Sequence, residues 1–100
     1  MNDAMLTAWS TEVLSLAATV RGEGRYDSRV FIAAVFAAYC AKHGACSRSL
    51  FDRILLQAHA AGLVSLNRAD LVGAMPAKMV ADSLVTHPAG FATFHFIVAP

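Results

Sequence analysis

The sequence predicts an α+β domain, and three observations carry that prediction. Three stretches within the first 61 residues place apolar side chains at helical spacing. Near the end, "FATFHFIVA" alternates Phe94, Phe96 and Val98 with Thr93, His95 and Ile97, which is the period of a strand. Between them, "LFDRILLQAHAAGLVSLNR" runs from an amphipathic helix through Gly62 straight into a short alternating segment. A chain of 100 residues is long enough to bury one core and too short for two, so residues 1–100 are read as a single domain.

The elements follow in order. Residues 3–20 form the first helix, capped by Asn2 or Asp3, with Leu6, Trp9, Val13, Leu16, Ala17 and Val20 on one face. "RGEGRYDS" breaks the pattern with two glycines and a cluster of charges; it reads as a loop in which Asp27 or Ser28 caps the next helix. Residues 29–43 form that helix, and Phe31, Ile32, Val35, Phe36 and Tyr39 spread apolar surface around it, as suits a central helix. Gly44 ends it, with Lys42 and His43 in its last turn. Ser47 caps a third helix over 47–61, which Gly62 stops before the strand "LVSL". Asn67 caps a short helix from Arg68 over Leu71, Val72 and Met75, and "PAKMVADSL" restarts it after Pro76. Segments 84–87 and 91–98 then pair as a hairpin across "HPAG". The expected core is Leu6, Val13, Phe31, Val35, Tyr39, Leu50, Ile54, Leu55, Val64, Phe94 and Phe96.

Helix, turn, helix, strand and C-terminal hairpin, with "HGACS" as the turn and "AAGLVSLNRADL" as the passage from helix to sheet, resemble the winged-helix variant of the helix-turn-helix domain over residues 28–98. The resemblance implies a binding module whose third helix meets its partner, with duplex DNA as the partner and the hairpin as the wing. Two features depart from that pattern. Segment 67–83 is longer than a plain winged helix needs and implies an inserted helix, and the wing "THPAGF" has no Lys or Arg to meet phosphate.

Composition bounds the remaining choices. Apolar residues make up 57% of the chain and charged residues 15%, against about 25% charged in an average soluble domain, so disorder is excluded and exposed apolar surface is expected. The longest apolar run, residues 30–41, falls well short of the ~20 residues that span a bilayer and reads as a buried helix, with no membrane role. The N-terminal segment carries Asp3 and Glu12 and lacks a basic start, so it is read as cytoplasmic and not as a secretory signal. Net charge is +1, yet residues 21–53 hold six cations against Glu23, Asp27 and Asp52, a mildly basic middle. Arg21, Arg25 and Arg29 in that segment are expected to pair locally with Glu23 and Asp27.

Under the DNA reading, Arg48, Ser49, Arg53 and Gln57 form the contacting face of the third helix: Arg pairs with guanine, Gln with adenine, and Ser serves phosphate. Asp52 on that face opposes phosphate, and the same residues equally make a solvated polar face. The alternative is a winged-helix-like protein-interaction or dimerisation module without nucleic acid. Its face is Met5, Leu6, Trp9 and Val13 on the first helix, since Trp and Met are enriched where proteins meet; Trp9 serves equally well as a core residue. Cys40, His43 and Cys46, with His87 and His95 near the hairpin, lack the spacing of a zinc site, and a structural disulfide does not suit a cytosolic chain. No phosphate-binding glycine loop, H-E-x-x-H or G-x-S-x-G occurs, so neither an enzyme nor a cofactor is expected.

Overall fold

Asn2 opens the first helix: its side-chain oxygen accepts the Met5 N–H at 2.8 Å, satisfying one of the orphan donors of the first turn. This helix, α1 (Asp3–Thr19), buries Leu6, Trp9, Val13 and Ala17 along one face. The structure is a computed structural model that describes residues 1–70, 74–90 and 92–99.

The segment expected as a loop carries the first unforeseen elements. After a single 3-10 turn at Gly22–Gly24, β1 (Arg25–Tyr26) and β2 (Arg29–Phe31) form a tight antiparallel hairpin. Asp27 sits in its turn at φ 54°, a left-handed conformation that Asp tolerates, and does not cap a helix. Gly24 lets the 3-10 turn sit close against Val20 and Ala34, because a Cβ there would stand 2.8 Å from Val20 Cγ1 and 2.9 Å from the Ala34 Cβ. The helix expected over 29–43 therefore begins later, as α2 (Ile32–His43). The physical reason is a competing partner: Arg29, Val30 and Phe31 pair with Val98, Ile97 and Phe96 across a strand ladder. An apolar run that is both a strand and a helix start has no internal period to divide it.

α2 has no side-chain cap of its own. Its first N–H groups are met by tertiary partners instead: Ile32 donates to the His95 carbonyl at 3.0 Å and Ala33 to Ser83 Oγ at 3.1 Å. α3 (Arg48–Ala60) is capped by Ser47 Oγ, which accepts from Leu50 N at 3.2 Å. It ends as the glycine signal predicts. Gly62 at φ 76° donates to the His59 carbonyl at 3.0 Å, and Leu63 donates to Ala58 at 2.9 Å, the paired bonds of a Schellman motif.

The strand expected at 63–66 is shifted, forming β3 at Leu66–Asn67. The helical turn expected over Leu71 and Val72 falls outside the described residues, and α4 (Ala77–Ser83) follows Pro76 as expected. β4 (Val85–Thr86) and β5 (Thr93–Phe94) pair as a hairpin with Gly90 in its loop at φ 78°. That hairpin stops at His95. The next strand, β6 (Phe96–Val98), leaves β4 and enters a second sheet, ordered β1-β2-β6-β3. Four helices among the described residues and small antiparallel sheets with a hairpin make an α+β arrangement consistent with a winged-helix-like one. No helix of the described residues is long and apolar enough to cross a membrane.

β6 is buried on both faces. Val30, Leu66 and Ile97 point toward α1, α2 and α3, where Val13, Ala17, Val35, Leu55 and Ala58 fill the main core. Phe31 and Phe96 point the other way with ring centroids 4.6 Å apart, covered by Ala69 and Val80. Of the expected core, Leu6, Val13, Phe31, Val35, Leu55, Val64 and Phe96 are buried, while Tyr39, Ile54 and Phe94 are half-buried. Leu50 is the exception at 49% exposed, because α3 turns the line Phe51, Leu55 and Ala58 inward and leaves Leu50 at its rim.

Truncating Phe96 or Leu55 to Ala should therefore cost on the order of 3–5 kcal/mol, whereas Leu50→Ala should cost less than about 1 kcal/mol. Urea unfolding midpoints of the three variants measure this difference. A second outcome concerns His95, which is buried and accepts the Ala69 N–H on Nδ1 at 3.0 Å, a role open only to the neutral ring. Burial, and then the nearby Arg68 charge, lower its pKa from the ordinary 6.5. The unfolded chain thus binds a proton that the folded chain resists, so stability is whole above pH 6.5 and falls as pH drops from there through the lowered folded value. His95→Gln keeps an acceptor without a titrating ring. It should flatten the fall in stability between neutral pH and the carboxylate range, measured by urea melts at a series of pH values.

Candidate interaction face on the third helix

α3 presents its outer face through the side chains that follow from its phase. With Phe51, Leu55 and Ala58 inward, Ser49, Arg53 and Gln57 recur every four residues as one exposed stripe. Arg48 does not join them. Its Nε donates to Asp52 Oδ1 at 2.8 Å, its Nη1 to the Asp82 carbonyl at 2.7 Å, and its guanidinium lies 5.5 Å from the Phe36 ring centroid. Arg48 thus ties α3 to the end of α4. Burial raises the Asp52 pKa from its ordinary value, against the pull of Arg48.

Other cations are similarly engaged. Arg21 Nη1 donates to the Ala18 carbonyl at 2.6 Å and to Val20 at 2.9 Å, and Arg25 Nη1 donates to Ala17 at 3.1 Å. Both guanidiniums sit at the negative end of α1 and satisfy its last carbonyls, which is why they do not turn to Glu23 and Asp27 as expected. Arg29 lies 5.4 Å from the Phe96 ring centroid. Lys42 pairs with Glu12 at 2.6 Å, and Lys78 pairs with Asp82 at 2.7 Å. Lys42, with help from His43, lowers the Glu12 pKa, while Asp82 raises that of Lys78. Arg53 makes no hydrogen bond or ion pair with a described residue.

The neighbours of Arg53 are apolar. Met1 and Met5 at the start of α1 are each 56% exposed and, with Leu50 and Ile54, join Arg53 and Gln57 around a shallow cavity of about 370 Å³. Leu50 and Ile54 also border a second cavity of about 290 Å³ that reaches Trp9, Tyr39 and Cys46. The two share a wall, so an apolar strip continues from Met1 across α3 to the turn before it. Of the first-helix face, Met5 lies on this strip, whereas Leu6, Trp9 and Val13 are buried in the chain's own core. Trp9 packs at 5.3 Å on Phe51 and 6.3 Å on Tyr39, at the junction of α1, α2 and α3. The doublets Leu50-Phe51 and Ile54-Leu55 were the signal for the exposed part, since two adjacent apolar lines exceed what one buried stripe requires.

Among the described residues no three His, Cys, Asp or Glu side chains gather to hold a metal ion. His43 turns to Glu12 Oε1 at 2.9 Å and packs on the Tyr39 ring. The wing tip, 87–90, brings no Lys or Arg.

Removing Arg48 as Arg48→Met should cost about 1–3 kcal/mol, since the half-buried Asp52 and the Asp82 carbonyl both lose a donor, whereas Arg53→Ala should change stability by less than about 0.5 kcal/mol. Thermal or urea unfolding of the two variants distinguishes a structural arginine from a surface one.

No family model matches the chain, no curated protein matches its sequence, and no solved structure matches its fold.

Proposed function

We propose that the chain is a non-enzymatic, winged-helix-like module that docks another protein chain on the α1–α3 face, around Met1, Met5, Leu50 and Arg53. One observation carries this reading: the exposed polar stripe of α3 is bordered by apolar side chains, while six of the eight Lys and Arg residues (Arg21, Arg25, Arg29, Lys42, Arg48 and Lys78) are engaged within the molecule. A duplex-binding face draws its affinity from cations offered to phosphate, and here Arg53 offers itself among methionines and a leucine. Exposed Met and Leu beside a single Arg are the composition of a protein-binding surface. A second copy of the chain is the simplest occupant, because any patch on one protomer is present on its copy.

A second reading keeps Ser49, Arg53 and Gln57 as a contact to duplex DNA, favoured by their spacing along one exposed stripe. Salt separates the two, since each phosphate contact makes binding fall with salt by a slope of about −0.9 while an apolar interface hardly responds. Sedimentation at micromolar concentration is expected to show association that Leu50→Asp or Met5→Asp removes without moving the unfolding midpoint. A monomer that instead binds mixed-sequence duplex at low salt, and loses that binding in Arg53→Ala, would replace the protein reading with the DNA one.

A further inference from the structure

We propose that Cys40 and Cys46 form a reversible dithiol site, closed to an intramolecular disulfide by small-molecule disulfides and reopened by thiols. The geometry comes from the turn between α2 and α3. Cys40 lies in the last turn of α2, and its carbonyl accepts the Gly44 N–H at 2.7 Å. Gly44, at φ 87° and with no atom within 4 Å of where its Cβ would lie, reverses the chain there. The reversal brings Cys46 back over the helix end, where its Sγ donates to the Gly44 carbonyl at 3.0 Å and lies within electrostatic reach of the Cys40 thiol. Both thiols are free and both are partly exposed, so a small reagent reaches them while the fold holds them together. Access runs through the cavity of about 290 Å³ that Cys46 lines beside Trp9 and Tyr39.

The chemistry balances with one co-reactant, a low-molecular-weight disulfide. One cysteine loses its proton, and its thiolate attacks a sulfur of that disulfide, forming a mixed disulfide and expelling one small thiolate. The neighbouring cysteine then loses its proton and attacks the protein sulfur, forming the Cys40–Cys46 bond and expelling the second small thiolate. Two electrons pass from the protein thiols to the small disulfide, and the two protons end on the expelled thiolates. Desolvation, and then the Cys40 thiol, raise the Cys46 pKa, so the attack speeds up as rising pH fills the thiolate.

The test equilibrates the full chain with defined ratios of reduced and oxidised glutathione, blocks remaining thiols with iodoacetamide, and reads the intact mass. The expected product is a monomer lighter by two hydrogens and carrying no alkyl group, while Cys40→Ser and Cys46→Ser each stop at the single glutathione adduct. The same equilibration in concentrated urea separates a site poised by the fold from mere closeness in sequence. The equilibrium constant for ring closure should be higher in the folded chain. Glutathione adducts or intermolecular dimers as the end products of the folded wild-type chain overturn the proposal. So does a closure constant in urea equal to or above that of the folded chain.

Discussion

The fold is fastened at one residue, His95, and at one protonation state of it. Its N–H donates to the Asn67 carbonyl at 2.8 Å, its carbonyl accepts the Ile32 N–H at 3.0 Å, and its imidazole Nδ1 accepts the Ala69 N–H at 3.0 Å. A single side chain and its peptide groups thereby join the end of β3, the start of α2 and the exit of the C-terminal hairpin. The neighbours of His95 go opposite ways, Phe94 to the hairpin with β4 and Phe96 to the sheet with β2 and β3. An imidazolium has no lone pair for Ala69, and Arg68 nearby opposes the charge, so the junction favours the neutral ring.

From that junction follows where the apolar content goes. A chain with 57% apolar residues reads at first as one with surface to spare. Much of the surplus is absorbed because β6 is buried on both sides: Ile97 closes the helical core, and Phe96 builds a second, smaller core with Phe31, Ala69 and Val80. Two thin layers around one strand use more apolar side chains than a single layer of the same length. What remains outside is restricted, with Met1, Met5, Leu50 and Leu84 the large exposed apolar residues among those described. Three of the four stand together.

Features determined within a few residues were legible in the sequence. Asn2 and Ser47 cap the helices they precede, Gly62 ends α3 in the left-handed conformation, and the hairpin turns around Gly90, each through local hydrogen bonds and backbone preferences. The errors lie where a distant partner decides. Residues 29–31 are strand because β6 offers them a ladder, and α2 starts at Ile32 because His95 and Ser83 supply its acceptors from more than 45 residues away. Likewise, Arg48 lies on the polar side of α3 by spacing, but the Asp82 carbonyl draws it out of the exposed stripe. Leu50 was misplaced for a subtler reason, since the apolar arc of α3 is wider than its neighbours can cover and periodicity does not say which edge is left out.

The same long-range ties bear on what the outer face of α3 can do. Asp82 and Ser83 are consecutive at the end of α4; the first gives its carbonyl to Arg48 on α3, and the second gives its hydroxyl to Ala33 at the start of α2. α4 is only seven residues long, too short to be stable alone, yet it bridges the two larger helices through adjacent groups. On the opposite side, Phe51 packs against Trp9 of α1 and Phe36 and Tyr39 of α2, at centroid distances of 5.3, 5.2 and 5.5 Å. α3 is therefore held from α1, α2 and α4, and its Ser49, Arg53 and Gln57 stripe rides on a fixed axis. A face positioned in this way loses little backbone freedom when it is covered, and ordering its few exposed side chains costs about 0.5–1.5 kcal/mol each. The arginine that spacing would have given to the surface instead helps to hold that surface in place.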